Sequence, residues 1–248
     1  MYQPPAWIRE RPIAHRGLHD AAPGITDAPE NSLAAIDAAI ARGYGIELDL
    51  RLLADGHVAV FHDAELERMT GARGRVAALR REQLAELRLP GGHEIPLLRD
   101  VLERVDGRAP LLLELKSERA AEVGPLERAV FTRLERYAGP FALQSFNPVS
   151  LAFFRARTPT WPRGQLSYDF RDDRTIPGWK QFILRRLLLN VVSRPHFISY
   201  EVNSLPFWAT TLTSALGLPL LAWTVDSPKE LARARARADN IIFEGLLP

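Results

Sequence analysis

Two carboxylates two positions apart, Glu47 and Asp49, precede a histidine, His62, in the stretch IELDLRLLADGHVAVFHD at 46–63. Paired oxygen donors suit a hard divalent cation, and an imidazole exchanges protons near neutral pH. Together they describe a metal site with an acid–base group beside it, provided that the three share a face. The two arms of the stretch alternate apolar with polar residues around Asp55-Gly56, the strongest short-range signal for a β-hairpin. No crossover fits in such a turn, so the arms run antiparallel. A two-residue loop pairs Ala54 with His57, Leu53 with Val58, Arg51 with Val60 and Asp49 with His62. In that register Glu47, Asp49 and His62 lie on one side of the strand pair.

Two further pairs have the same character. His15-Arg16 ends the short strand in RPIAHRG, and Glu114 and Lys116 alternate with leucines in LLLELKS. Alone, Glu-x-Asp is ordinarily an outward polar pair, and a lone histidine is often a core residue. Here Ile46, Leu48 and Leu50 already claim the buried outer face, so the carboxylates point inward, where uncompensated charge is costly. Glu114 makes a third. Three inward carboxylates call for one divalent cation, and oxygen-only ligation suits Ca²⁺ or Mg²⁺. His15 and His62 flank them as an acid–base pair. Arg16 and Lys116 add cationic donors, and Lys116 is one of only three lysines in the chain. Such a site neutralises a phosphate and moves protons.

The elements that hold these groups alternate. A helix capped by Asn31 or Ser32 carries the stripe Leu33, Ile36, Ile40 and stops at Gly43. After the hairpin, 64–110 reads as loops and short helices. Strands at LLLEL, FALQSF, 164–168, 197–200, LLAWTV and 241–243 are then separated by helical segments, including 122–137, 149–157 and 228–238. Such alternation predicts a parallel sheet. Nine candidate strands, one of them the return arm of the hairpin, fit a somewhat distorted (β/α)8 TIM barrel with an early β-hairpin. The polar residues cluster at the carboxyl ends of its strands, where barrel enzymes keep their active sites.

A length of 248 residues suits one such domain. A net charge of +2 without a concentrated basic stripe argues against nucleic acid. The chain has no cysteine, which excludes a thiolate nucleophile and a Cys-ligated zinc. The first residues show no signal-peptide pattern and no run spans a membrane, so a cytoplasmic enzyme is expected. Residues 179–192, WKQFILRRLLLNVV, are apolar on nearly every side. They read as a buried barrel helix or, more sharply, as a weak contact with a membrane or a second subunit. His19 and His57 read as loop residues.

HRG, PENS, GIELDLRLLADGHVAVFHD, LELK, QSF and AWTVD, in this order and spacing, resemble the glycerophosphodiester phosphodiesterase family from about residue 11 to the end. The resemblance implies a TIM barrel that uses Ca²⁺ or Mg²⁺ to hydrolyse a glycerophosphodiester to glycerol 3-phosphate and an alcohol through a cyclic phosphate. By that likeness Glu47, Asp49 and Glu114 match the metal ligands, His15 and His62 the acid–base pair, and Arg16 and Lys116 the phosphate contacts. Gln144, Phe146, Trp223 and Glu244 fall where the substrate pocket is expected. The family commonly ends near Ile-Ile-Thr-Asp, and this chain has Ile241-Ile242-Phe243-Glu244. Asn147 and Asp226 stand where related sequences often carry Asp and Asn. A rival reading is a lysophospholipase D-like hydrolase working on lysophospholipids at a membrane surface. A binding barrel that has lost activity would show erosion of the set, and all seven residues are present.

Overall fold

Period-two alternation sorts each strand into an outer and an inner set. The computed structural model describes residues 4–117 and 119–248. It contains β1 (Ile13–Ala14), β2 (Gly45–Leu52), β3 (Val58–Val60), β4 (Leu111–Leu115), β5 (Phe141–Ser145), β6 (Arg163–Ser167), β7 (Phe197–Glu201), β8 (Leu220–Val225) and β9 (Asn240–Phe243). All pairings are parallel except that of β3 with β2, and β1 pairs with both β2 and β9. Eight parallel strands therefore close a (β/α)8 barrel, with β3 as the return arm outside it.

The outward side chains Leu48, Leu50, Leu113, Leu143 and Ile198 pack with Ile36, Val101, Val130 and Phe154 from the surrounding helices. Burying each such side chain is worth about 1.5–3 kcal/mol, which fixes the strands' facing. Inside, Ile13, Leu112, Ala142, Phe197, Leu221 and Ile242 form an apolar floor with Ile8 of the helix Trp7–Glu10. Gly164 makes room there, since a Cβ on it would come within 2.0 Å of the Phe197 ring. Above the floor the same inward positions turn polar.

The hairpin forms, but one residue out of the expected register. Leu50 faces Val60, Arg51 faces Ala59 and Leu52 faces Val58. The loop has three residues: Leu53 N–H donates to His57 O at 2.8 Å and Gly56 N–H to Leu53 O at 3.1 Å. Gly56 takes φ +82°, as in a turn closed by a left-handed residue. Asp55 fastens the loop by accepting from the Arg81 N–H at 2.7 Å. Asp49 therefore stands opposite Phe61, whose N–H donates to Asp49 O at 2.9 Å. A slip of one residue reverses every side chain. Here it sends Leu53, Ala59 and Phe61 into a second apolar cluster with Leu66, Val76 and Leu97. The pairing of Asp49 with His62 is thus overturned by the apolar residues of 64–97, which need those three as their core.

Residues 179–192 do not form the buried barrel helix that is one of their two readings. They divide into Gly178–Arg185 and Asn190–Ser193, with Leu187 at φ +58° between them. No residue of the first helix is buried, and Trp179 is 64% exposed. Arg155 donates to the carbonyl of Val192 at 2.9 Å, holding the second helix beside Pro148–Arg157. The break at Leu187 leaves the first helix beside the cleft at the strands' carboxyl ends rather than under a buried face. Among the described residues no helix is long and apolar enough to cross a membrane.

Candidate active site

Three strand ends converge over the floor. Glu47 and Asp49 on β2 and Glu114 on β4 are buried, and their carboxylate oxygens lie within 4.8 Å of one another. Asp49 stands beside Glu114 in the β2–β4 register. Lys116 Nζ bridges them, 2.9 Å from Asp49 Oδ1 and 2.7 Å from Glu114 Oε1. Burial and the neighbouring charges of Asp49 and Glu114 push the Glu47 carboxyl well up. Burial and Asp49 also raise Glu114, against the pull of Lys116. Asp49 goes the other way: burial is outweighed by Lys116, His62 and Arg16, so it stays ionised. Two protein cations do not fully satisfy three buried carboxylates. An all-oxygen donor set of this size fits a divalent cation such as Mg²⁺ or Ca²⁺, which would relieve the strain on Glu47 and Glu114.

Arg16, at φ +54°, turns its backbone N–H onto Glu47 Oε2 at 3.1 Å. Its guanidinium bonds Glu30 at 3.0 Å and lies 3.4 Å from Asp49 Oδ2. Asn31, read above only as a possible cap, grips Asp49 twice. Its Nδ2 donates to Asp49 Oδ2 at 2.9 Å, and its Oδ1 accepts from the Asp49 N–H at 3.2 Å. The cap itself is Ser32, which accepts from Ala35 N–H at 3.1 Å.

Each histidine has its Nδ1 tied to a carboxylate. His15 Nδ1 donates to Glu244 Oε2 at 2.5 Å, leaving Nε2 4.0 Å from Glu47 Oε2. Glu244, beyond β9, also has His19 Nε2 at 3.6 Å, and the bond from His15 with His19 close by holds its carboxyl well below the usual range. His62 Nδ1 donates to Asp63 Oδ1 at 2.6 Å. Burial lowers the His62 pKa, with Lys116 and Arg16 adding to the effect against Asp49. His62 reaches the site because the chain leaves the ladder after Phe61 and Arg51 Nε donates to the His62 carbonyl at 2.7 Å. Arg68 then bonds both Asp63, at 2.6 Å, and Glu30, also at 2.6 Å.

A cleft of about 530 Å³ opens beside the cluster, lined by His62, Glu114, Lys116 and Phe146 and, on its outer wall, by Lys180, Leu184 and Leu189. Phe146 meets Trp223 edge-on at 5.5 Å. Gln144 sits lower, donating to Glu47 Oε1 at 3.4 Å and accepting from Ser199 Oγ at 3.0 Å. Glu244 bonds His15 rather than lining the cleft, and Asn147 caps Pro148–Arg157 by accepting from Val149 N–H at 3.0 Å. A larger hollow of about 620 Å³ lies at the other end of the barrel, between 99–107 and 132–140, away from these groups.

The structure brings His15 and His62 to the rim of the carboxylate cluster, His62 for a reason the hairpin does not supply. Asn31, Glu30, His19 and Asp63 were missed as members of the site. PENS and the HD dipeptide were the available signals for three of them, whereas His19 carries no local one.

A closed (β/α)8 barrel with its titratable groups gathered at the strands' carboxyl ends is an enzyme by architecture and site. The chain belongs to the glycerophosphoryl diester phosphodiesterase family, which it matches over residues 15–243. The Bacillus subtilis protein YhdW, assigned as a glycerophosphodiester phosphodiesterase, is 31% identical over 243 residues, covering 94% of this chain and 93% of its own. The glycerophosphodiester phosphodiesterase of Caldanaerobacter subterraneus subsp. tengcongensis is 28% identical over 249 residues, with shares of 94% and 93%. Among solved structures, an Oleispira antarctica phosphodiesterase in complex with the product sn-glycerol-3-phosphate has a TM-score of 0.75. It is 23% identical and covers 94% of this chain and 92% of that one, a likeness of fold.

Proposed function

We propose that this barrel hydrolyses a glycerophosphodiester to glycerol 3-phosphate and an alcohol, with Glu47, Asp49 and Glu114 holding one divalent cation, Ca²⁺ or Mg²⁺. The observation that carries the reading is three buried carboxylates within 4.8 Å of one another beside two imidazoles whose Nδ1 atoms are each fixed by a carboxylate. Fixing Nδ1 makes Nε2 of each ring the atom that exchanges protons with substrate. One histidine takes the proton of the glycerol 2-hydroxyl as its oxygen bonds to phosphorus. The other gives a proton to the alcohol oxygen as its bond to phosphorus breaks. Water then opens the cyclic phosphate with the two roles reversed, returning both rings to their starting states. A bound cation supplies Lewis-acid stabilisation of charge on a phosphate oxygen. Lys116 and Arg16 contribute fixed positive charge beside it, as a phosphate-binding pair.

The test is release of glycerol 3-phosphate from glycerophosphocholine by chelator-treated protein with and without added Mg²⁺ or Ca²⁺. Activity should require the cation. His15→Ala and His62→Ala should each lose about 10²–10⁴-fold in kcat while cation binding, read by calorimetry, persists. Near-normal turnover by His62→Ala would sink the acid–base assignment. A second reading, hydrolysis of lysophospholipids in the manner of a lysophospholipase D, is favoured by the apolar outer wall of the cleft at Leu184 and Leu189. Comparing glycerophosphocholine with lysophosphatidylcholine separates the two.

A further inference from the structure

The helix Gly178–Arg185 has two unlike faces. Lys180 and Leu184, one turn apart, line the cleft. Trp179 and Phe182, three apart on nearly the opposite side, are 64% and 52% exposed. The following residues add Leu188 at 45% and Val191 at 74%. Large apolar side chains grouped in this way on a surface mark a contact site. The charge around them is largely positive, although Asp169, Asp172 and Asp173 lie just before residue 174. Residues 174–200 contain Arg174, Lys180, Arg185, Arg186 and Arg194 and not one Asp or Glu. Arg185 is taken up by Asp169 at 3.1 Å, and among the described residues Arg174, Lys180, Arg186 and Arg194 have no ion-pair partner. Lys180 and Arg186 stand over the Trp179 and Phe182 rings, at 5.5 and 3.7 Å from their centroids. The neighbouring helix Pro148–Arg157 adds Arg155 and Arg157 and has no acid. Asp169 is also bonded by Arg171, and Asp173 by Tyr168 and Thr175.

We infer that this face docks on an anionic lipid bilayer, with Trp179, Phe182 and Val191 at the depth of the headgroups and the cations against lipid phosphates. Aromatic and aliphatic side chains flanked by basic ones are what an interfacial helix uses, and each Lys or Arg near an anionic surface adds to its attraction. A second copy of the chain is the poorer occupant, because a two-fold contact through this patch sets the same cations against one another. Docked in this way, the cleft opens beside the bilayer. The inference deepens the reading of the cleft as a glycerophosphodiester site, and its test is separate from that reading.

The test is co-sedimentation of the full chain with vesicles of phosphatidylglycerol and phosphatidylcholine, or of phosphatidylcholine alone. Binding is expected to the mixed vesicles only, falling at least tenfold in Trp179→Ser/Phe182→Ser and again on raising salt. Arg174→Glu/Arg194→Glu provides a second variant that leaves the aromatic residues in place. Hydrolysis of soluble glycerophosphoglycerol, run in parallel, should be equal in wild type and both variants. Absence of binding to anionic vesicles, or equal binding by both variants, overturns the inference. So does a concentration-dependent dimer that the variants lose, which would give the face to a second copy. Failure of soluble turnover in all three proteins would count against the proposed function and leave the vesicle result standing.

Discussion

At the scale of single residues, the cluster is held by side chains outside the three carboxylates and two imidazoles. Glu244 and Asn31 hold a histidine and a carboxylate in place from opposite ends of the chain. Glu244→Gln keeps the volume and removes the anion that His15 and His19 share. We expect kcat to fall roughly 10–100-fold, the usual cost of losing a partner that orients a working imidazole, with KM little changed. A KM effect alone would make Glu244 a substrate contact instead. Asp63 gives a pH signature. Its pKa falls from 3.8 to about 2 because bonds from Arg68 and His62 outweigh its partial burial. Glu30, bonded by Arg68 and near Arg16, is lowered too. Since the folded values lie below the ordinary ones, the unfolded chain binds more protons as pH falls. Their stabilisation is full above about pH 5, clear of both ordinary values, and is lost as pH falls toward 2. Thermal unfolding of wild type and Arg68→Ala should therefore converge over that window, and a constant gap would deny the cluster its role.

At the scale of elements, the hairpin separates what local pattern encodes from what it does not. Alternation in 46–63 makes the two arms legible, as does the inward facing of Glu47 and Asp49, because Leu48 and Leu50 have somewhere apolar to go. Loop length was not legible. Asp-Gly suits a two-residue turn, and the deciding factor lies in Leu66, Val76 and Leu97, which need Phe61 and Ala59 on their side. The eight-strand barrel could be read from alternation for the same reason as the carboxylates. The contacts of Glu244 with His15 and His19 could not, since they exist only once the barrel closes. For the turn itself, Gly56→Ala should lower Tm by roughly 2–8 °C. A left-handed Cβ costs about 1–2 kcal/mol, and each kcal/mol shifts a chain of this size by about 2–4 °C. Nothing lies within 4 Å of the added Cβ, so activity should hold. A loss of activity would mean that the loop shifts His62.

At the scale of the whole molecule, cation binding and folding are linked. An ion that binds only the closed site stabilises by about 2.7 kcal/mol at a hundred times its Kd, or roughly 5–11 °C in Tm. Calorimetric scans with and without Mg²⁺ or Ca²⁺ should show that rise, and Glu114→Gln should blunt it. The seam of the barrel has a consequence in time. β1 finds its second neighbour in β9, and His15 meets Glu244 across 229 positions of sequence. Contacts this distant are formed late, after the cost of closing so long a loop has been met. Until then β1 and β8 each present an unpaired edge, open to pairing with another chain. A nascent or nicked chain without its last strand and Glu244 is thus expected to lose the partner of His15 and to be prone to aggregate, so the same few residues that hold His15 also guard the barrel against self-association.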